Sequence, residues 1–253
     1  MRSWLKHPLR VTGRLLWLAG ELALGLIRFL ARCAFRKSED QLAVRAHWLQ
    51  DVSRRVLLIF NSDLQVSGPV PAAGFMVCNH LSYVDILVIA ACAPVIFIAK
   101  QEVKGWPVFG WFARLAGTLF VQRESRTQVG QVAGEIESVL QRGALVVLFP
   151  EGTSSDGRTV LPFKSSLLEP VARNSHPVTA ALIRYELADG DVGEEVCYWK
   201  DMTLVPHLIN LLSKRSLRAF IQFKPAPTNG AGRKELARQL HAEVVRLKTA
   251  ATA

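Results

Sequence analysis

Three observations predict an α/β fold: a single domain on a mostly parallel mixed sheet flanked by helices, preceded by N-terminal amphipathic helices. From residue 74 onward, apolar runs of strand length alternate with segments of helical period, the pattern of a parallel sheet covered on both faces. Residues able to do chemistry collect in the turns after those runs, where α/β folds place their sites. The first 37 residues form a basic, amphipathic segment ahead of the alternation. With 253 residues, half of them hydrophobic, the chain suits one substantial domain with a sizeable core.

The N-terminal segment comes first. Net charge is +10, and Arg2, Lys6, Arg10, Arg14, Arg28, Arg32, Arg36 and Lys37, set against Glu21, supply most of the excess. Charges interrupt the apolar stretch and no small-residue cleavage pattern follows, which excludes a signal peptide. The longest uncharged runs, 15–20 and 22–27, fall short of the ~18 residues a spanning helix needs. On a helical wheel Arg10, Arg14, Glu21, Arg28 and Arg32 fall within an arc of about 40°. The rest of the surface is Leu, Ile, Trp, Phe, Ala and Gly. One helix, or two broken near Gly20 or Gly25, with a thin cationic stripe and a broad apolar face suits the bilayer interface. On that reading the stripe meets lipid headgroups. A core helix with an exposed charged stripe is the other reading. Residues 1–37 are thus predicted to be membrane-associating helices and 38–253 the folded domain.

A helix is expected over 41–61, then a short strand and turn residues in LQVSGPVPAAG. Strand 74–79 is followed by helix 83–92, strand 95–98 by helix 106–116, and strand 118–121 by helix 127–141. Strand 144–149 leads through a polar loop to helix 164–173. Strand 177–184, helix 203–213, strand 217–223 and helix 232–248 complete the alternation. Cys33, Cys78, Cys92 and Cys197 form no CxxC spacing, which points to reduced thiols rather than disulfides or a metal site.

His80 and Asp85 lie five residues apart in CNHLSYVD. Positions i and i+5 are about 140° apart on a helix and on opposite sides of a strand. They can meet only if the backbone turns between them, with Ser82 capping the helix that follows. Such a pair fixes the imidazole tautomer and raises the basicity of its other nitrogen. The bland alternative is a locally satisfied histidine beside a helix-start acid. Lys100 and Lys104 follow another strand, and Arg123 follows the strand in GTLFVQR. In FPEGTSSDGRTVLPFK, Pro150 and Gly152 bracket Glu151, and Lys164 closes the loop. A base and several cations at successive strand ends describe a site for an anionic substrate.

These blocks, in this order, resemble the glycerolipid acyltransferase family. NHxxxxD is matched by Asn79, His80 and Asp85. GxxFxxR is matched by Gly117, Phe120 and Arg123. FPEGT is matched by Phe149, Pro150, Glu151, Gly152 and Thr153, and a Pro-rich apolar strand loosely by His176, Pro177, Val178 and Ala180. The resemblance covers about residues 60–225, and the basic N-terminal helices resemble membrane-docking helices of bacterial members. It implies that His80 takes a proton from a glycerol hydroxyl and that Asp85 orients it. The acyl donor is then a thioester of coenzyme A or acyl carrier protein, with no bound cofactor and no metal. Arg123 grips the acceptor phosphate with Lys100 or Lys164, and Glu151 helps hold the acceptor or Arg123. Backbone N–H groups around Gly152 and after His80 receive the oxyanion.

Ser154 and Gln101 stand where family members often carry Arg and Lys. GTSSDGxxVLPFKSSL followed by DMTLVPH is also similar to lyso-ornithine-lipid acyltransferases, whose acceptor has no phosphate. The expected partners are a lyso-lipid acceptor, the thioester donor and the membrane interface, on the cytoplasmic face of the inner membrane. A pI near 9.8 raises nucleic-acid binding as a rival. The basic residues sit on an apolar helix rather than a polar arm, so no nucleic acid is expected. A lipid-binding scaffold without activity would have no use for an oriented base.

Overall fold

The computed structural model describes residues 7–33, 41–122, 126–174, 176–227, 230 and 232–252. Arg2, Lys6, Arg36, Lys37 and Arg123 lie outside the described residues.

Two helices, α1 (Pro8–Cys33) and α2 (Gln41–Ile59), precede the strand β1 (Ser62–Ser67). The chain continues through β2 (Gly74–Cys78), α3 (Val84–Cys92), β3 (Val95–Lys100), α4 (Phe109–Leu115), β4 (Leu119–Val121), α5 (Arg126–Gln141) and β5 (Leu145–Leu148). It ends with α6 (Glu169–Arg173), β6 (Val178–Leu187), α7 (Val192–Glu195), α8 (Leu204–Ser213), β7 (Leu217–Ala226) and α9 (Arg233–Thr252). The seven strands form one sheet in the order β1-β7-β6-β2-β5-β3-β4. Neighbours pair in parallel, except that β6 and β7 run antiparallel. The β1–β7 pair therefore runs against the other five strands.

Alternation within the strands builds two cores. Phe75, Val77, Val146, Leu148, Ala180 and Leu182 face α5, α6 and α9. Met76, Cys78, Val147, Ala181, Ile183 and Tyr185 face α1, α2, α3 and α8. Both faces are covered, so the central strands read as continuous apolar runs.

Several boundaries differ from those expected. The segment 164–173 is not one helix. Lys164 is still loop, donating its N–H to the Pro150 carbonyl (2.9 Å), and a 3-10 turn over 166–168 precedes α6. Likewise the helix expected over 106–116 shortens to α4, with a 3-10 turn over 101–105 ahead of it. Strands β6 and β7 outrun their predicted ends because each supplies the other's ladder along ten residues.

Helix α1 is unbroken. At Gly25 it makes its close approach to α2: a Cβ there would lie 3.1 Å from Val52, and the Gly25 carbonyl accepts the Trp48 indole N–H at 2.7 Å. The charged stripe is turned toward the protein, which corrects the expectation that it meets headgroups. Arg10 donates to the Ser213 carbonyl, and Arg14 to those of Leu212, Lys214 and Arg215, at the carboxyl end of α8. Those carbonyls lack intrahelical partners and carry the negative end of the helix dipole, so guanidinium donors satisfy them. Glu21 and Arg32 face Arg55 and Asp51 of α2. The outward face is consequently apolar, with Leu16, Trp17, Leu26, Ile27 and Leu30 exposed. No helix among the described residues is long and apolar enough to cross a membrane.

Candidate active site

The site lies where β2 and β5 end, at the middle of the sheet. His80 follows β2 by two residues, and its Nδ1 lies 2.8 Å from Asp85 Oδ2. A buried carboxylate only accepts here, so Nδ1 carries the proton and Nε2 keeps a lone pair. The turn that brings the two together is made by Asp85 itself. Its Oδ2 also accepts the N–H groups of Leu81 (2.7 Å) and Ser82 (3.0 Å), and its own N–H donates to the Ser82 carbonyl. The predicted Ser82 cap is absent: Tyr83 occupies the N-cap position, and the buried Ser82 hydroxyl has no partner among the described residues. Asp85 is fully buried, yet both of its oxygens are occupied, because Tyr185 donates its hydroxyl to Oδ1 at 2.6 Å.

The loop after β5 clamps the histidine backbone. Glu151 Oε1 accepts the His80 N–H at 3.0 Å, and the Ser155 N–H donates to the His80 carbonyl at 3.0 Å. Phe149 stacks on the imidazole with ring centres 4.0 Å apart. Gly152 turns the chain with φ +76°, a backbone that suits glycine. From α9, Lys248 donates to the Gly157 carbonyl, and His241 Nε2 donates to the Val160 carbonyl at 3.2 Å, so the loop is held from behind. Ahead of α3, Tyr83 is pinned to α8. The His207 Nε2–H donates to the Cys197 carbonyl, so His207 Nδ1 accepts the Tyr83 hydroxyl at 2.9 Å, and burial lowers the His207 pKa.

His80, Asp85, Glu151 and Gly152 thus come together as expected from the motifs. Glu151 is buried against the His80 backbone rather than lying open in the loop. Thr153, Lys100 and Lys164 are exposed around the rim, and Arg123 lies outside the described residues. Of the N–H groups around Gly152 and after His80, those of Leu81 and Ser82 are taken by Asp85, and that of Gly152 by the Phe149 carbonyl. Asn79 and Tyr185 carry structural weight that spacing did not reveal. Asn79 pairs with both backbone groups of Ile183 (2.7 and 3.0 Å), tying β2 to β6 just beyond their ladder. An aromatic hydroxyl two residues further along a buried strand gives no periodic signal.

Burial pushes the Glu151 carboxyl up to about 7, with Asp85 adding to the rise and the His80 and Leu161 N–H groups and Lys248 opposing it. The folded state therefore holds this proton more tightly than the unfolded chain, whose glutamate titrates near 4.5. Its contribution to stability is complete below about pH 4.5 and is lost as pH rises through about 7. The span is on the order of 3 kcal/mol. Glu151→Gln keeps an acceptor for the His80 N–H, so denaturant unfolding at pH 4.5 and 7.5 should show a smaller drop for the variant than for the parent. An identical drop in both would mean that Glu151 does not titrate in this window.

The Acyltransferase family model matches residues 64–184. A lyso-ornithine lipid O-acyltransferase of Rhodobacter capsulatus is 34% identical over 204 residues, which span 76% of this chain and 72% of that protein. The chain belongs to the glycerolipid acyltransferase family. It is an acyltransferase. Two further relatives are each 36% identical. The lyso-ornithine lipid O-acyltransferase of Rhizobium meliloti aligns over 63% of this chain and 60% of that protein. The 1-acyl-sn-glycerol-3-phosphate acyltransferase of Neisseria meningitidis aligns over 61% of this chain and 65% of that protein. The fold is shared with the crystal structure of the 1-acyl-sn-glycerophosphate acyltransferase PlsC of Thermotoga maritima. That match has a TM-score of 0.72 at 20% identity and covers 99% of this chain and 98% of the other.

Proposed function

We propose that this acyltransferase moves an acyl chain from a thioester of coenzyme A or acyl carrier protein to the free hydroxyl of 1-acylglycerol-3-phosphate, forming phosphatidic acid. One observation carries the reading: His80 Nδ1 is fixed on Asp85, which leaves Nε2 as a base. Nε2 takes the hydroxyl proton as the acceptor oxygen bonds to the thioester carbonyl carbon. The carbon–sulfur bond then breaks, and the imidazolium returns the proton to the departing thiolate. An ester and a free thiol result. Asp85 stabilises the imidazolium between the two steps. The Thr153 and Ser154 N–H groups, which donate to no described residue, are the donors this loop can offer the oxyanion. Arg123, Lys100 and Lys164 supply positive charge for the acceptor phosphate. The apolar outward face of α1 supports docking on the cytoplasmic face of the inner membrane without spanning it.

A second acceptor is favoured by a specific observation. Ser154 stands where the family often has arginine, and its hydroxyl is spent on the Tyr198 carbonyl. A lyso-ornithine lipid needs no phosphate grip, and two of the relatives named above act on that lipid by name. A panel of lyso-lipid acceptors against one acyl-CoA, read as release of free thiol, separates the two. With lysophosphatidate, Arg123→Ala should raise the acceptor KM about 10- to 150-fold and leave the donor KM within about twofold, because a charge-assisted contact is lost. An unchanged acceptor KM transfers the assignment to the lyso-ornithine acceptor. Thiol release with no acceptor in the panel would remove the acyltransfer reading of this site.

A further inference from the structure

We infer that Tyr185 is a positioning residue for the catalytic base: its hydrogen bond to Asp85 Oδ1 fixes the rotation of the carboxylate whose Oδ2 orients His80. The inference rests on the reading of His80 and Asp85 given above.

Asp85 carries three donors on Oδ2, namely His80 Nδ1 and the N–H groups of Leu81 and Ser82. On Oδ1 it has one partner among the described residues, the Tyr185 hydroxyl at 2.6 Å. The carboxylate is fully buried, so a bare Oδ1 would be a charged oxygen with neither water nor donor. It would be drawn to share the donors gathered on Oδ2, and the carboxylate would rotate away from the geometry that holds Nδ1. Tyr185 prevents this from a rigid position. It lies in β6, with its side chain on the face shared by Ala181 and Ile183, within the core that includes Met76 and Cys78. The ladder pairs Cys78 with Ala181, and Asn79 then grips both backbone groups of Ile183, two residues before Tyr185. The NH motif and Tyr185 are thereby locked in register. On its other side β6 pairs with β7 at Tyr185–Ala219. Burial and the Asp85 charge raise the Tyr185 pKa well above its ordinary value, so the hydroxyl remains a donor throughout the working pH range. A strand at this depth has no need of a hydroxyl for packing, since phenylalanine would fill the space. The hydroxyl is explained by the carboxylate it meets.

The test uses the full chain and compares Tyr185→Phe with 4-aminophenylalanine placed at the same position, which keeps a para donor on the same ring. Tyr185→Phe should lower kcat about tenfold while the KM values for donor and acceptor stay within about twofold, since only the base is disturbed. The aminophenylalanine protein should recover to within about threefold of the parent kcat. In an Asp85→Asn background, Tyr185→Phe should add less than about twofold, because the carboxylate it orients is gone. A parent-like kcat for Tyr185→Phe, or equal losses for the two replacements, overturns the proposal, as does a full additional loss in the Asp85→Asn background. If the Phe protein is not recovered folded, a kcat below a tenth of the parent for the aminophenylalanine protein overturns it. His80→Ala, run alongside, separates the two levels. An inactive His80→Ala beside a fully active Tyr185→Phe removes only this inference, whereas an active His80→Ala removes the base itself.

Discussion

His80→Ala should reduce acyl transfer to below about one-hundredth of the parent rate while leaving the protein folded. General-base catalysis typically contributes about 10²- to 10⁴-fold. The imidazole combines a tautomer fixed by Asp85 with a lone pair left on Nε2. The fold should survive because of what remains around the gap. The His80 side chain is 21% exposed, and it leaves behind the face of Phe149 and the buried Asp85. Asp85 would still accept from the Leu81 and Ser82 N–H groups and from Tyr185, so no buried charge is stranded. The backbone clamps from Glu151 and Ser155 do not involve the ring. The measurement is thiol release from acyl-CoA with a lyso-lipid acceptor, alongside thermal unfolding. More than a tenth of the parent rate in a folded variant would show that the proton leaves by another route.

The readable part of this site was what sequence distance encodes. A histidine and an aspartate five residues apart had to be joined by a turn, and the structure supplies one. The alternation of apolar runs revealed the α/β architecture because β2 and β5, at the middle of the sheet, are buried on both faces and wholly apolar. Sequence distance says nothing of what arrives from elsewhere in the chain. Tyr185 reaches Asp85 from a hundred residues away, and only the strand order that sets β6 beside β2 brings it there. Pro150 and Gly152 mark a turn at Glu151, and a turn alone does not tell whether its acid is buried. Glu151 is buried, with Oε1 on the His80 N–H and its loop held from α9 by Lys248 and His241. The wheel of α1 gave the right stripe and the wrong direction. Periodicity locates a charged face but not its partner, and the partner of Arg10 and Arg14 is the carboxyl end of α8, whose carbonyls accept guanidinium donors.

That reversal sets the second large effect, at the membrane. Replacing Leu16, Ile27 and Leu30 together by serine should release the protein from lipid vesicles without unfolding it. These side chains are 70%, 62% and 58% exposed on the outward face of α1, so the folded chain gains little from them. Sinking three such side chains into the acyl boundary is worth about 1.5 kcal/mol each, counted as partial burial. The triple change should therefore weaken vesicle partitioning on the order of 10³-fold. Point changes are preferred to truncation, because removing α1 would uncover Trp48, which packs on Phe29 and donates to the Gly25 carbonyl. High salt should leave most of the parent protein on the vesicles. Arg10 and Arg14 are spent on α8, and burial of apolar surface is not screened by ions. Activity supplies the second reading. The triple variant should lose most of its rate on vesicle-borne acceptor and keep it on a monomeric short-chain acceptor, since the base and its supports are untouched. Cosedimentation of the variant equal to that of the parent would mean that some other surface holds the membrane. Equal loss on both acceptors would mean that this face of α1 supports the domain rather than the lipid.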